Sequence, residues 1–177
     1  MNDMKPITKK DRIIALVESL NRTGSHEVAS YIQASNFALK HGGASHHKYR
    51  GGLVDHSLEV YQNMKEKASG LNIPEDSIII CSIFHDLGKL ISQDGHPSHS
   101  LAILDQCGFQ LTKDERKAIA THHSFDGALD LNSLQSLLKR SDGKSTDEWK
   151  KSHPGSSPAK SSGKELVELI LSEFSKI

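Results

Sequence analysis

One segment dictates how the rest of this chain must be arranged: Ser77 to Leu90, SIIICSIFHDLGKL. Its first half is apolar on every side. A helix that is hydrophobic all round has no face for water, so it lies at the centre with other elements packed about it. Pro74 stands where such a helix starts, because the N–H it lacks has no partner in a first turn. Gly88 stands where it stops, in a left-handed cap. This reading puts His85 and Asp86 in the last turn of a buried helix, where free carbonyls and the helix dipole favour a cation. A neutral imidazole beside a carboxylate offers mixed N/O ligation to a divalent metal. Lys89 follows, within reach of a phosphate oxygen of a substrate held by that metal.

The flanking segments supply the packing. Ile13, Ile14, Val17 and Leu20 share one face of a helix over 11–21. Gly24 breaks the chain, and Ser25 caps a second helix that reaches Lys40, with Val28, Ile32 and Phe37 inward. Residues 41–52, HGGASHHKYRGG, form a glycine-rich loop that lets backbone approach a ligand. The helix over 53–69 carries His56 between Leu53 and Val60, facing the core, with Asp55 and Glu59 off that face. Pro97 and Ser98 open a helix that buries Leu101, Ile103 and Leu104 and ends at Gly108. Thr112 and Glu115 form a capping box for a helix that ends at His122 and His123. Asp130 caps a helix whose Leu131, Leu134, Leu137 and Leu138 pack inward. No segment alternates as a strand does, so an all-α helical bundle follows.

Eleven histidines are the one oddity of composition, and several cluster around the 85–86 pair. His56, His85–Asp86 and Asp142, with His96, His122 and His123 between the pair and the last aspartate, follow the H…HD…D order, often with two further histidines before the last Asp, of the HD-domain metal-dependent phosphohydrolases, which the chain resembles over residues 46–145. HHKYRGGLVDHS (46–57) is similar to the entry segment of bacterial HD-type 3′→5′ exonucleases and HD relaxases. The run His96-Pro97-x-x-Ser100-x-x-Ile103-Leu104 resembles a segment of HD phosphodiesterases whose histidine binds the second metal; His99 is the alternative there. HHSFDG (122–127) resembles the same enzymes, without the glycine–tyrosine–proline extension of those that cleave cyclic di-GMP. Asp142 stands where the last HD aspartate is expected, although Lys139-Arg140 replaces the usual small apolar residues; Asp126, Asp130 and Asp147 compete for the role.

The resemblance implies an HD-domain-like helical bundle with His56, His85, Asp86 and Asp142 on one metal. Asp86 would bridge to a second metal held with His96, His122 and His123. Such a pair lowers the pKa of a water and polarises phosphoryl oxygens, with Asp86 and Lys89 as the catalytic residues. His47, Arg50 and Lys89 would bind substrate. The donor set suits manganese, iron, nickel, cobalt or zinc better than calcium. The expected activity is hydrolysis of a phosphate ester of a nucleotide or short oligonucleotide by a phosphodiesterase or nucleotidase. The alternative is a metal- or nucleotide-binding sensor without turnover.

Lys plus Arg and Asp plus Glu both number 22, so no global basic field attracts nucleic acid. Cys81 and Cys107 fall in apolar stretches and read as reduced thiols, which with the lack of an apolar N-terminal run suggests a cytoplasmic protein. No apolar run is long enough for a membrane span. The expected organisation is an HD domain with N-terminal helices over 1–149, a linker over 150–163 and an amphipathic helix over 164–177. Ser162 and Glu165 form a capping box for that last helix. Its stripe of Leu166, Leu169, Ile170 and Phe174 would dock on the core or pair with another copy.

Overall fold

The computed structural model describes residues 7–124 and 130–154. Among them are seven α-helices and no strand: α1 (Lys9–Glu18), α2 (Ser25–Ala34), α3 (Gly52–Lys67), α4 (Glu75–Phe84), α5 (His96–Gln106), α6 (Lys113–Thr121) and α7 (Leu134–Ser152). Two 3-10 turns, Phe37–Leu39 and Leu87–Leu90, join them. The chain is the all-α bundle that its periodicity predicts. No helix of the described residues is long and apolar enough to cross a membrane.

The apolar run forms the central helix. Every residue of α4 from Ser77 to Phe84 is buried, and α3, α6, α1 and α7 all pack on it. Ile13 and Val17 of α1, Val28 and Ile32 of α2, and Leu53, Val60 and Met64 of α3 fill the core around it at 0 % exposure. Burying each such side chain contributes roughly 1.5–3 kcal/mol. The expected capping box of Thr112 with Glu115 is present at α6, and α1 has one that was not expected, Thr8 with Asp11. Glu115 is also fully buried and takes a two-pronged salt bridge from Arg22, at 2.6 and 2.9 Å. Ser77 Oγ donates to the same carboxylate at 2.7 Å, so one acidic group ties α6 and α4 to the end of α1.

Several boundaries differ from the sequence reading. Gly88 is not a left-handed cap. It lies inside the second 3-10 turn, and α5 crosses it so closely that a Cβ there would run into the His96 carbonyl and come within 2.5 Å of the Ser100 nitrogen. The N-cap of α2 is Gly24 (φ 87°), and Ser25, expected to cap it, is already the first residue of the helix. Helix α2 ends at Ala34 rather than Lys40, because Ser35 is extended and its hydroxyl accepts from the Phe37 N–H. The N-cap of α7 is Ser133, and Asp130 instead accepts from Asn132 N one turn earlier. Leu131 is therefore outside the helix and 65 % exposed. Helix α7 extends to Ser152, so residues 150–152 are helical where a linker was expected. Cys81 is buried but Cys107 only partly so, and both are free. The C-terminal amphipathic helix and Asp126 lie outside the described residues.

Candidate metal centre

The folded chain carries its histidines to the ends of helices that meet beside α4. His85 is the C-cap of α4 and Asp86 the next residue, so the pair sits just past the last turn. His56 projects from α3, His96 opens α5, His122 caps α6, and Asp142 projects from α7. Two sets of ligand atoms converge: His56, His85 and Asp142 in one, and Asp86, His96, His122 and His123 in the other. Asp86 joins them, with Oδ2 3.4 Å from both His56 Nε2 and His85 Nε2, and Oδ1 3.0 Å from His96 Nε2. His56 Nε2 is also 3.1 Å from Asp142 Oδ1. His96 rather than His99 reaches Asp86, and Asp142 takes the position for which Asp130 and Asp147 were alternatives.

The second nitrogen of each ring fixes which way the rings present their lone pairs. Nδ1 of His85 donates to the Ser82 carbonyl at 2.9 Å, that of His96 to Gln93 at 2.7 Å, and that of His122 to Ile119 at 2.7 Å. A carbonyl only accepts, so in the neutral ring the proton is on Nδ1 and Nε2 carries a lone pair. His56 is set the same way through side chains. Ser145 Oγ donates to Glu59 at 2.7 Å and therefore accepts from His56 Nδ1 at 3.1 Å. The four Nε2 atoms then face one another: His56 to His85 at 3.4 Å and His96 to His122 at 3.3 Å. Lone pairs at such separations repel unless a positive charge lies between them. Asp86 Oδ1 agrees, since it is buried and has no hydrogen bond of good geometry despite its close nitrogen neighbour. Outer partners that orient a histidine in this way are what metal sites employ, and the donor set fits divalent transition metals.

Electrostatics point the same way. Burial alone raises the Asp86 carboxyl, but His85, Lys89 and His122 outweigh it and hold the group well below the ordinary carboxylate range. For His85, burial lowers the ring and Asp86 more than reverses it, so its affinity for positive charge is raised. Burial pushes His56 down although the nearby Asp142 and Asp86 carboxylates oppose it, and pushes His123 down to about 4 with help from His122.

Lys89 is buried, and its Nζ donates to Asp86 Oδ2 at 2.6 Å and to the Gly42 carbonyl. It thus fastens the glycine-rich loop to the cluster. In that loop His47 adopts a left-handed backbone (φ 47°), uncommon for a residue with a side chain. Its ring is fully buried and donates to Glu59 at 3.1 Å, so it braces the network instead of facing a substrate. Its neighbour His46 is the half-buried member of the pair, 4.8 Å from the His56 ring centre, and burial pushes it down to about 3. His46, His47 and His56 also come within ligand reach of one another, but both nitrogens of His47 are engaged, by Glu59 and by His46. Arg50 is exposed, and among the described residues no hydrogen bond or ion pair joins it to the cluster. Lys139 and Arg140 donate to the Ser124 and Leu131 carbonyls, bracing the chain before α7.

Glu59, Ser145 and His46 are the participants that sequence reasoning missed. Glu59 was placed off the His56 face, yet it lies one turn along α3 and reaches His56 through Ser145.

The HD domain family model matches residues 53–169 of the chain. Neither curated proteins nor solved structures gave a match.

Proposed function

The chain belongs to the HD domain family, and from that premise we propose that it is a metal-dependent phosphohydrolase acting on a phosphate ester of a nucleotide or short oligonucleotide. The observation that carries this reading is the set of Nε2 lone pairs turned toward one another around Asp86. Purely structural metal sites close with four ligands, and here two groups share Asp86. His56, His85, Asp86 and Asp142 would hold one divalent ion, and Asp86, His96, His122 and His123 a second. Bound there, divalent ions make water nucleophilic at neutral pH and offset charge on the phosphoryl oxygens.

The protein's own groups do the positioning. Asp86 stays anionic between the two groups because Lys89 and the imidazoles surround it. An ammonium has three donors, and Lys89 directs them to Asp86, to the Gly42 carbonyl and, on this reading, to a phosphoryl oxygen. His56, His85 and Asp86 are closed to solvent while His123 is exposed, so substrate would approach from the His123 side.

The test is hydrolysis of bis-p-nitrophenyl phosphate with added manganese, by the wild type and by Asp86→Asn. Asparagine keeps the shape and removes the charge, so turnover should fall by at least about 100-fold, as expected for a shared ligand. Equal activity in both proteins would show contamination. A wild type that binds metal but turns over no ester with any metal would favour the sensor.

A further inference from the structure

A basic cavity opens beside the metal cluster. It has a volume of about 420 Å³ and is lined by Lys40, His41 and Gly43 on one wall and by Lys89, Ser92 and Gln93 on the other. No aspartate or glutamate lines it. Lys89 belongs to both places, since its Nζ bonds Asp86 Oδ2 while its side chain forms part of the cavity wall. Lys40 is half-buried and makes no ion pair among the described residues. Asp86 already pairs with Lys89, but no carboxylate on the cavity wall faces Lys40, so an anion entering the cavity would give Lys40 a charged partner. The volume is within the roughly 300–1,000 Å³ of small-molecule sites.

We propose that this cavity receives a second phosphate group of the substrate, next to the one that lies at the metals. The inference rests on the hydrolase reading above and narrows its substrate class. The substrate would carry at least two phosphates, as in a 5′-phosphorylated short oligonucleotide or a nucleoside diphosphate. Lys40 and His41 would be the specificity residues that hold the second phosphate, while Lys89 keeps its remaining donor for the phosphate at the metals. The lining groups come from two separate segments, the loop after the first 3-10 turn and the second 3-10 turn with the chain that follows it.

The variants are Lys40→Ala/His41→Ala and the milder Lys40→Arg. Turnover of a 5′-phosphorylated dinucleotide, a nucleoside 5′-diphosphate and bis-p-nitrophenyl phosphate is compared with manganese present. The double variant should lower kcat/KM for the substrates with two phosphates about tenfold relative to bis-p-nitrophenyl phosphate, mainly through KM. Its KM for them should also depend less steeply on salt, and Lys40→Arg should recover most of the loss. A loss confined to the dinucleotide would identify an oligonucleotide substrate, and one confined to the diphosphate a nucleotide. Unchanged ratios would overturn the proposal. If the wild type turns over no ester, the hydrolase reading fails by itself. Calorimetric binding of the phosphorylated dinucleotide then decides the cavity: equal affinity of wild type and double variant overturns it, and about tenfold weaker binding by the variant supports it.

Discussion

Gly88→Ala tests whether the crossing of α5 over the second 3-10 turn sets the metal geometry. Gly88 has an ordinary backbone conformation, so the substitution introduces no φ strain. The obstacle is contact: the new methyl would meet the His96 carbonyl, and it would lie 2.5 Å from Ser100 N and 2.7 Å from His99 Cβ. Carbon needs about 3.5 Å from a non-bonded neighbour, so the first turn of α5 must retreat by about 1 Å. These are backbone atoms of a helix and cannot swing aside. The retreat also strains the bond from Gly88 N to Ser100 Oγ, now 2.7 Å. Overpacking of this kind costs about 1–3 kcal/mol. The functional effect is larger, because His96 travels with the backbone and metal–ligand distances tolerate only about 0.2 Å. Gly88→Ala is therefore expected to retain fewer metal ions per chain than the wild type after manganese loading and gel filtration, as read by mass spectrometry. Its urea midpoint should fall as well. Gly143→Ala is the control. It lies in α7 with nothing within 4 Å of the new methyl, so it should gain about 0.5–1 kcal/mol of stability and keep its metal. A Gly88→Ala protein with the wild-type metal ratio and urea midpoint would refute the argument.

Three further outcomes follow from contacts described above. Ser145→Ala releases the His56 ring from its outer partner, and Glu59→Gln removes the charge behind that partner; a competing chelator should show metal affinity reduced about 10–100-fold for Ser145→Ala and less for Glu59→Gln, and unaltered affinity in Ser145→Ala would remove the bracing role. Arg22→Ala leaves the buried Glu115 with only Ser77 and the Thr112 N–H. Breaking a buried pair strands its charge, so chemical denaturation should show a loss of about 3 kcal/mol at pH 7, and a loss below about 0.5 kcal/mol would contradict it. The same carboxyl gives a pH dependence. Burial raises it, but Arg22, Ser77 and Thr112 outweigh burial and hold it below the usual value. A depressed carboxyl stabilises the fold fully above the unfolded value of about 4.3, and the contribution is lost as pH falls through the folded value. The urea midpoint should therefore drop steeply below about pH 4, and less steeply in Glu115→Gln.

Local signals marked His56, on an inward face, and His85–Asp86, at the end of an apolar helix, whereas His96, His122, His123 and Asp142 were singled out by resemblance to the HD family's ligand order, and the fold brings all seven together. Glu59 and Ser145 carried no such signal. They bond each other across a separation of 86 residues, and only the packing of α3 on α7 brings them together. Gly88 misled for a related reason: a glycine near a helix end suggests a left-handed cap, whereas here it is required by another helix crossing over it. Leu131 misled because Ser133, two residues later, captured the start of α7. His47 looked available to a substrate because its loop is rich in glycine, yet those glycines hold its backbone inward, with Gly42 N donating to the His47 carbonyl at 3.0 Å.

The two ligand groups draw on different helices. One takes its imidazoles from α3 and α4, both sealed from water, and the other takes them from α5 and α6, with His123 at the surface. If, as proposed, each group holds an ion, the two should thus differ in exchange lifetime, the outer one leaving first. Chelation would strip the centre in two kinetic phases, and material purified under dilute conditions would hold less than its full complement until manganese is restored.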